Sequence, residues 1–537
     1  MHQPLPERAT PPELPSGQRW LALVVLCVTV LVANLDSTIL NVALPTLVRD
    51  LNATSSDLEW IVDSYVIVFA GSLLAAGSLA DRIGRKKTLL TGLAIFASGS
   101  AWAAFSGGVT ILIAARASMG VGGALMIPST LSIISDLFRD PAERQHAIAR
   151  WGGVSGVGVA LGPILGGILL ARFWWGSVFL INVPIAAVGL LATAWLVPDS
   201  KNPATRSPDL AGAALSMAGI AMIVGAVIEA PPHGWSSPLV IGPAAGGLAV
   251  LAVFAAWERI TAHPMLNLSL FRQRQFAAAI PAVVTLTFGL FGALFVLTQF
   301  LQLALGFTPL QASIRTLPVA AAVVVVAPTS AFAVRALGIK LTIASGLALA
   351  AAGLWLISGA AVSATFAAPL AAAGMVLLGA GAGLALPTAT GAVIASVPPA
   401  DSGVASAADT TAIQLGGALG VAVIGSLLAI RYRARMTGAL AGQHIPGASA
   451  VTARDSLGGA LAVADRAGCV TGPLLTHLAK TAFAGGMLLG LLTGAVIAAA
   501  GCLLALVWFP AASRPLAGDT RSMRSTSGRG GPRHAGG

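Results

Sequence analysis

Four ionisable residues stand well inside long apolar stretches of the sequence. They are Asp36 in VANLDSTILNVALP, Asp63 in SSDLEWIVDSY, Arg116 in RASMGVGGALMIP, and Asp409 beside Thr410 and Thr411. A charge buried at membrane depth costs about 2.5–3.5 kcal/mol on insertion scales, so each needs a chemical reason. In a low dielectric, desolvation favours the protonated form of a carboxylic acid, and a second acid nearby favours it further. Such a group holds a proton near neutral pH, and an incoming cation favours the ionised form and expels the proton. Mutually exclusive occupancy of one acid is the minimum machinery for exchange of a cation against a proton, and two acids titrate as a coupled pair.

The spacing constrains where these groups sit. Asp36 lies about eight residues before Leu44, so it is ~12 Å from that end of its stretch at ~1.5 Å per residue. Ser56 and Glu59 have capping-box spacing, which places a helix start near Ser56. Asp63 is then about seven residues, or ~10 Å, inside. The two carboxylates share a depth on helices joined by a short hairpin, and the spacing leaves open whether they face one another. Asn34, Ser37, Thr38 and Asn41 form a polar stripe, with Asp36 pointing the other way. The stripe is expected to pack against a neighbouring helix and Asp36 to face a cavity, the reverse assignment staying open. Each charge also has a plainer reading. Asp63 is near enough to a helix start to be favoured by the dipole. Asp36 and Asp409 have the alternative of bonding a partner helix, and Arg116 that of neutralising a carboxylate structurally.

The elements that must position these residues are membrane helices. Of 537 residues, 56% are hydrophobic and only 9% charged, against ~25% charged in soluble proteins. The mean hydropathy is +0.86, and about 20 apolar helical residues cross a bilayer core. Apolar segments occupy 20–44, 57–80, 88–106, 109–137, 146–171, 176–197, 210–228, 238–257, 276–304, 310–334, 341–361, 364–390, 402–430 and 481–509, which makes fourteen spans. The first run carries an acid and is too long for a cleavable signal, so it reads as a first membrane helix. The even count places both termini on one side. Lys and Arg in the tails and alternate connections make that side cytoplasmic. Arg431, Arg433 and Arg435 are the local exception, on the outer side. The net charge of +11 belongs to these loops and to the Gly/Arg-rich tail SMRSTSGRGGPRHAGG, not to a nucleic-acid surface. Cys27, Cys469 and Cys502 have no disulfide or metal spacing.

An internal repeat divides the chain. GSLADRIGRKKTLL (77–90) aligns with SAFAVRALGIKLTI (330–343), pairing Gly84 with Gly338, Lys86 with Lys340 and Thr88 with Thr342. Two related halves with a site between them are a common transporter architecture. The expected organisation is a cytoplasmic tail (1–19), a first six-helix bundle (20–200), two linking helices (201–260) and a second bundle (261–510). An extracellular loop is expected at 431–480 and a disordered cytoplasmic tail at 511–537.

Nearly the whole chain resembles the major facilitator superfamily, specifically its fourteen-helix drug:proton antiporters of the QacA and EmrB type. GSLADRIGRKKTLL looks like the loop between helices 2 and 3. There Gly77, Asp81, Arg82, Gly84, Arg85 and Lys86 would form the gating motif, with Asp81 clamping the halves in one state. RASMGVGGALMIP resembles the helix-4 motif whose arginine, here Arg116, is linked to proton transfer, although Met119 stands where many relatives have Gln. GVGVALGPILGG resembles the antiporter motif of helix 5. Its Gly158, Gly162 and Gly166 share a face, followed by Gly167, and Pro163 can bend the helix. LDSTILNVALP, WIVDSY and FLINVP match the drug-exporter pattern, and the first two carry over Asp36 and Asp63 as proton and cation sites. QLGGALGVAVIGS matches helix 13, leaving Asp409 a weaker substrate-site candidate. Phe288, Phe291, Phe295 and Gln299 share one face of the 276–304 span, where aromatic rings can receive lipophilic cations or meet a neighbouring helix or lipid. LPVAAAVVVVAP lacks the helix-10 acid of some exporters, so neutral or monovalent substrates are expected over divalent ones.

The resemblance implies a monomeric, all-α inner-membrane exporter of lipophilic compounds. It would be driven by the proton gradient with no cofactor, no metal and no nucleic-acid partner. Two alternatives stand: dedicated export of one metabolite, antibiotic or lipid, and a non-transporting membrane receptor. No nucleophile–base set or phosphate loop suggests an enzyme.

Overall fold

The computed structural model describes residues 15–199, 209–261, 268–362, 368–397, 402–441 and 447–510. Residues 1–14 of the expected N-terminal tail (1–19) and the expected tail at 511–537 lie outside the described residues, and α1 takes in 16–19. The described residues form helices and no strands. In chain order these are α1 (Ser16–Leu51), α2 (Ser55–Ile83), α3 (Arg85–Ala104), α4 (Val109–Leu137), α5 (Pro141–Arg172), α6 (Ser177–Leu180), α7 (Asn182–Leu196), α8 (Leu210–His233) and α9 (Pro238–Ile260). The second part holds α10 (Arg274–Gln299), α11 (Pro309–Val326), α12 (Ser330–Val362), α13 (Ala368–Ala395), α14 (Ser402–Leu440), α15 (Gly447–Asp455), α16 (Leu457–Ala464) and α17 (Gly468–Trp508). Among the described residues, eleven helical stretches are long and apolar enough to cross a membrane. Large apolar side chains such as Val24, Trp195, Val325 and Val507 point outward, as lipid permits and water would not.

Local signals set the helix ends. Asp140 caps α5 by accepting from the Glu143 N–H, with Pro141 at the first helical position. Asp209 and Ser237 cap α8 and α9 in the same way. Thr308 and Gln311 close a capping box on α11. The start of α2 differs from the sequence expectation. Thr54 and Asp57, not Ser56 and Glu59, form its capping box. Both pairs have the required spacing, and the chain uses the earlier one.

α1 to α7 pack mainly among themselves, as do α10 to α14 with α17. The two groups meet where α2 lies against α14 and where α5 lies against α11. Because the sequence repeat relates α2 to α11, these two seams are counterparts. The repeat is visible in the backbone as well. Gly84 (φ 121) and Gly338 (φ 82) both turn the chain in the region that favours glycine. The paired threonines act alike: Thr88 Oγ1 donates to Gly84 O at 3.0 Å and Thr342 Oγ1 to Gly338 O at 2.8 Å.

α8 and α9 pack as a pair, and α8 also touches α2 and α14. Near its end α8 reads Val227-Ile228-Glu229-Ala230-Pro231-Pro232. Prolines have no N–H, so the carbonyls of Val227 and Ile228 lose their donors four residues on. Side chains from both halves supply replacements. Ser56 of α2 donates to Ile228 O at 3.1 Å, and Ser426 of α14 donates to Val227 O at 2.8 Å.

The segment 431–480, read from sequence as a loop, is largely helical. α14 continues to Leu440, and α15, α16 and the first turns of α17 follow. Two of its arginines have structural partners: Arg433 pairs with Asp455 at 2.9 Å and donates to Pro231 O, and Arg435 donates to Thr481 O. These bonds account for Arg433 and Arg435, which stand against the general charge pattern.

Candidate functional site

Asp36 on α1 is fully buried, and it does not face an open cavity. Arg116 Nη1 of α4 pairs with its Oδ2 at 2.5 Å, and Asn182 Nδ2 of α7 donates to its Oδ1 at 2.8 Å. Asn182 also reaches Ser100 Oγ at 3.1 Å, and Ser100 donates to Phe179 O at 2.8 Å. Arg116 Nε donates to Ile61 O at 3.2 Å, while its guanidinium carbon lies 4.5 Å from the Tyr65 ring centroid. One carboxylate thus joins three helices, α1, α4 and α7, and the arginine is held by charge, a backbone carbonyl and an aromatic face. Bringing one acid and one base together in an apolar interior makes each tolerable, and removing either strands the other.

The polar stripe packs as expected from sequence. Thr38 Oγ1 and the Leu35 carbonyl lie so close to Gly162 of α5 that a Cβ there would overlap them. Gly158 and Gly166 meet Leu31 O and Ile39 Cγ1 of α1 equally tightly, each within 2.9 Å of an added Cβ. The face Gly158, Gly162, Gly166 is therefore the α1 contact. Gly167 turns to α11, where a Cβ would come within 2.7 Å of Leu310 Cα. Pro163 lies inside α5.

Asp63 is fully buried, and neither carboxylate oxygen has a hydrogen-bond partner among the described residues. It does not engage Asp36, whose oxygens are taken by Arg116 and Asn182. One turn earlier, Glu59 is also buried. Its Oε2 lies 3.3 Å from Ser426 Oγ across the seam with α14. Trp60 donates to Glu229 of α8 at 3.1 Å. Glu59 carries a burial that its capping-box spacing concealed, and Asn182 was visible only as part of FLINVP.

In the segment expected as the gating motif, Arg85 pairs with Asp136 and donates to Ser132 O at 3.0 Å, and Lys86 donates to Ala194 O at 2.8 Å. Arg82 is exposed at the end of α2, Gly77 faces Pro128, and the side chain of Asp81 lies outside the described residues. These bonds tie the α2–α3 turn to α4 and α7.

The second-half candidates occupy different surroundings. Asp409 accepts from Thr390 of α13 at 2.8 Å. The rings of Phe291 and Phe295 lie against Gly417 and Gly425 of α14, and the Phe288 carbonyl meets Gly420. The neighbouring-helix reading therefore describes this aromatic face. Gln299 donates back to Phe295 O at 3.2 Å. Three residues on, Gln302 crosses between the groups and donates to Val42 O of α1 at 3.0 Å.

Known proteins resemble this chain over most of its length. A family model described as Major Facilitator Superfamily matches residues 26–421. The chain is 37% identical to "Multidrug efflux pump LfrA" of Mycolicibacterium smegmatis, covering 87% of this chain and 92% of that protein. It is 34% identical to "Methyl viologen resistance protein SmvA" of Salmonella typhimurium, covering 89% and 97%. "Tetracenomycin C resistance and export protein" of Streptomyces glaucescens is 34% identical, covering 77% of each. Among solved structures, a bacterial homolog of the human lysosomal transporter Spinster, inward-facing and occupied, superposes with a TM-score of 0.63 at 17% identity, covering 92% and 98%.

Proposed function

We propose that this chain, which belongs to the Major Facilitator Superfamily, exports lipophilic and often cationic drugs or antibiotics in exchange for protons. It is a transporter and not an enzyme. The observation that carries the exchange is the Asp36–Arg116–Asn182 constellation. With Asp36 ionised, Arg116 is compensated and α1, α4 and α7 are tied together. A proton on Asp36 removes that compensation, and a buried guanidinium without its counter-ion is costly. Protonation therefore favours another arrangement of these helices. Asp63, one helix away and without a hydrogen-bond partner among the described residues, is the carboxylate on which a cation can be accommodated. Proton and drug then compete through helices that share Arg116.

Fourteen crossings is the reading we adopt. Eleven stretches are apolar enough by composition. α2 and α3 have the length of a span but carry charge at the turn that joins them, and the stretch Pro309–Ala360 holds two helices separated by the turn at Gly338. The organisation is two six-helix bundles, 20–200 and 261–510, with a linking pair in 201–260. The termini are cytoplasmic, the membrane is the inner one and the protein acts as a monomer. The gradient supplies the energy without a cofactor. On this orientation α15 and α16 lie on the outer side.

The test is Asp36→Asn. Loss of dye efflux in cells, with loss of its sensitivity to a protonophore, is expected; unchanged efflux and sensitivity would sink the proposal. Dedicated export of one antibiotic is the second reading, favoured by the similarity to the tetracenomycin C export protein.

A further inference from the structure

The α2–α14 seam holds a carboxyl group that the exchange scheme above does not use. Glu59 is 1% exposed. A Cβ on Gly425 would lie 2.5 Å from Glu59 Oε1, so the carboxyl abuts the α14 backbone and leaves no room there for a hydrated cation. Its hydrogen-bonding partner is Ser426, and a serine hydroxyl has one proton to give. Ser426 Oγ lies 2.8 Å from Val227 O and 3.3 Å from Glu59 Oε2. The shorter bond goes to a carbonyl that Pro231 has deprived of its helical donor. With its proton committed to Val227 O, Ser426 can only accept from Glu59, and a carboxyl donates only when protonated.

We propose that Glu59 is a second proton-binding carboxyl of this protein, and that its proton holds α2, α8 and α14 together at the outer seam. The chain of bonds runs Glu59 O–H to Ser426 Oγ, then Ser426 O–H to Val227 O. It links the first half, the second half and the inserted pair through one proton. Loss of that proton to the outer solution leaves a carboxylate that only accepts. Ser426 must then turn toward it, Val227 O loses its donor, and the end of α8 comes free of α14. A proton from outside remakes the bonds.

The charged groups facing this site reinforce the effect. α2 contributes Asp63 one turn away, and α8 contributes Glu229, held by Trp60 and His233. α14 contributes Arg433, already paired with Asp455, and α10 contributes the apolar Phe295. An ionised Glu59 thus meets two acids, one on α2 and one on α8, and no uncommitted base among these groups.

The inference rests on the proton-driven exchange proposed above. Its test reads the α8–α14 contact directly. Spin labels are placed at the exposed positions Ser236, just after α8, and Thr437 of α14, through Ser236→Cys and Thr437→Cys, after Cys27, Cys469 and Cys502 are replaced by serine. Distances between them are measured in lipid nanodiscs from pH 5.5 to 8.5. The parent protein should shift from short to long distances as pH rises. Glu59→Gln, whose amide still donates to Ser426, should stay short throughout. Pro231→Ala restores an N–H to Val227 O without weakening the helix, and it should shift the distances longer at low pH. A Glu59→Gln protein that follows the parent profile, or a parent whose distances ignore pH, overturns the proposal. Drug efflux by the unlabelled protein is scored separately. A pump without a latch and a latch in a protein that pumps nothing are thereby told apart.

Discussion

Arg116 Nη1 stands 2.5 Å from Asp36 Oδ2, and both side chains are sealed from solvent. Eighty residues separate them in the chain, and each is the reason the other can be buried. Removing one partner of a buried pair costs roughly 3–5 kcal/mol, because the survivor keeps its charge without compensation. Asp36→Asn and Arg116→Gln should therefore each lower the unfolding temperature in detergent. The double variant should lose less than the sum, with a coupling on the order of 0.5–3 kcal/mol. Simple additivity would show that the two residues do not act as a pair.

Asn182 holds the other carboxylate oxygen. Asn182→Ala leaves Asp36 Oδ1 without its donor and deprives Ser100 of one neighbour. Interhelical hydrogen bonds in membranes contribute about 0.6 kcal/mol on average, up to ~1.7. The variant should fold and should retain drug binding. It should lose efflux rate, because the carboxylate no longer has a fixed position relative to Arg116. Binding measured by fluorescence quenching, set against efflux in vesicles, checks this; equal loss of both would mean the residue is merely structural.

Glycines on α5 divide into two classes. A Cβ at Gly162 would overlap Thr38 and crowd Leu35 O, whereas a Cβ at Gly156 meets nothing within 4 Å. Gly162→Val should destabilise the protein by about 1–3 kcal/mol, the usual cost of overpacking, and reduce export with it. Gly156→Ala should leave the unfolding temperature and efflux unchanged. Thermal unfolding of the two side by side decides whether the helix-5 motif is a packing surface for α1.

How far the sequence exposed this arrangement depended on the kind of signal. Asp36, Asp63 and Arg116 were legible because charge stands out in an apolar run. Their pairing was not, since it depends on how α1, α4 and α7 rotate, and helical period alone leaves that open. The repeat was legible down to Thr88 and Thr342, because a turn with positive φ restricts residue type. Glu59 was misplaced because Thr54–Asp57 and Ser56–Glu59 both fit a capping box, and only packing against α14 separates them. The helices within 431–480 were concealed by arginines that read as loop charge but bind Asp455, Pro231 O and Thr481 O.

On the proposed exchange, Asp63 should distinguish substrates by charge. Both of its oxygens lack hydrogen-bond partners among the described residues, so its interior position is best compensated by an incoming cation or a proton. α11 contributes no second acid. One unpartnered carboxylate balances one positive charge, so a monovalent lipophilic cation suits the site better than a dication. Asp63→Asn should abolish export of monovalent cations, with growth inhibition by an ethidium-like dye rising to that of cells without the protein. Export of neutral lipophilic compounds should persist. Methyl viologen, a dication, should be exported poorly by the parent protein. Introducing an acid into α11 with Val323→Glu, on the face that meets Gly383 of α13, should not restore it, whereas an acid on the face turned to α5 should. A parent protein that protects equally against monovalent and divalent cations would remove Asp63 as the determinant of charge preference.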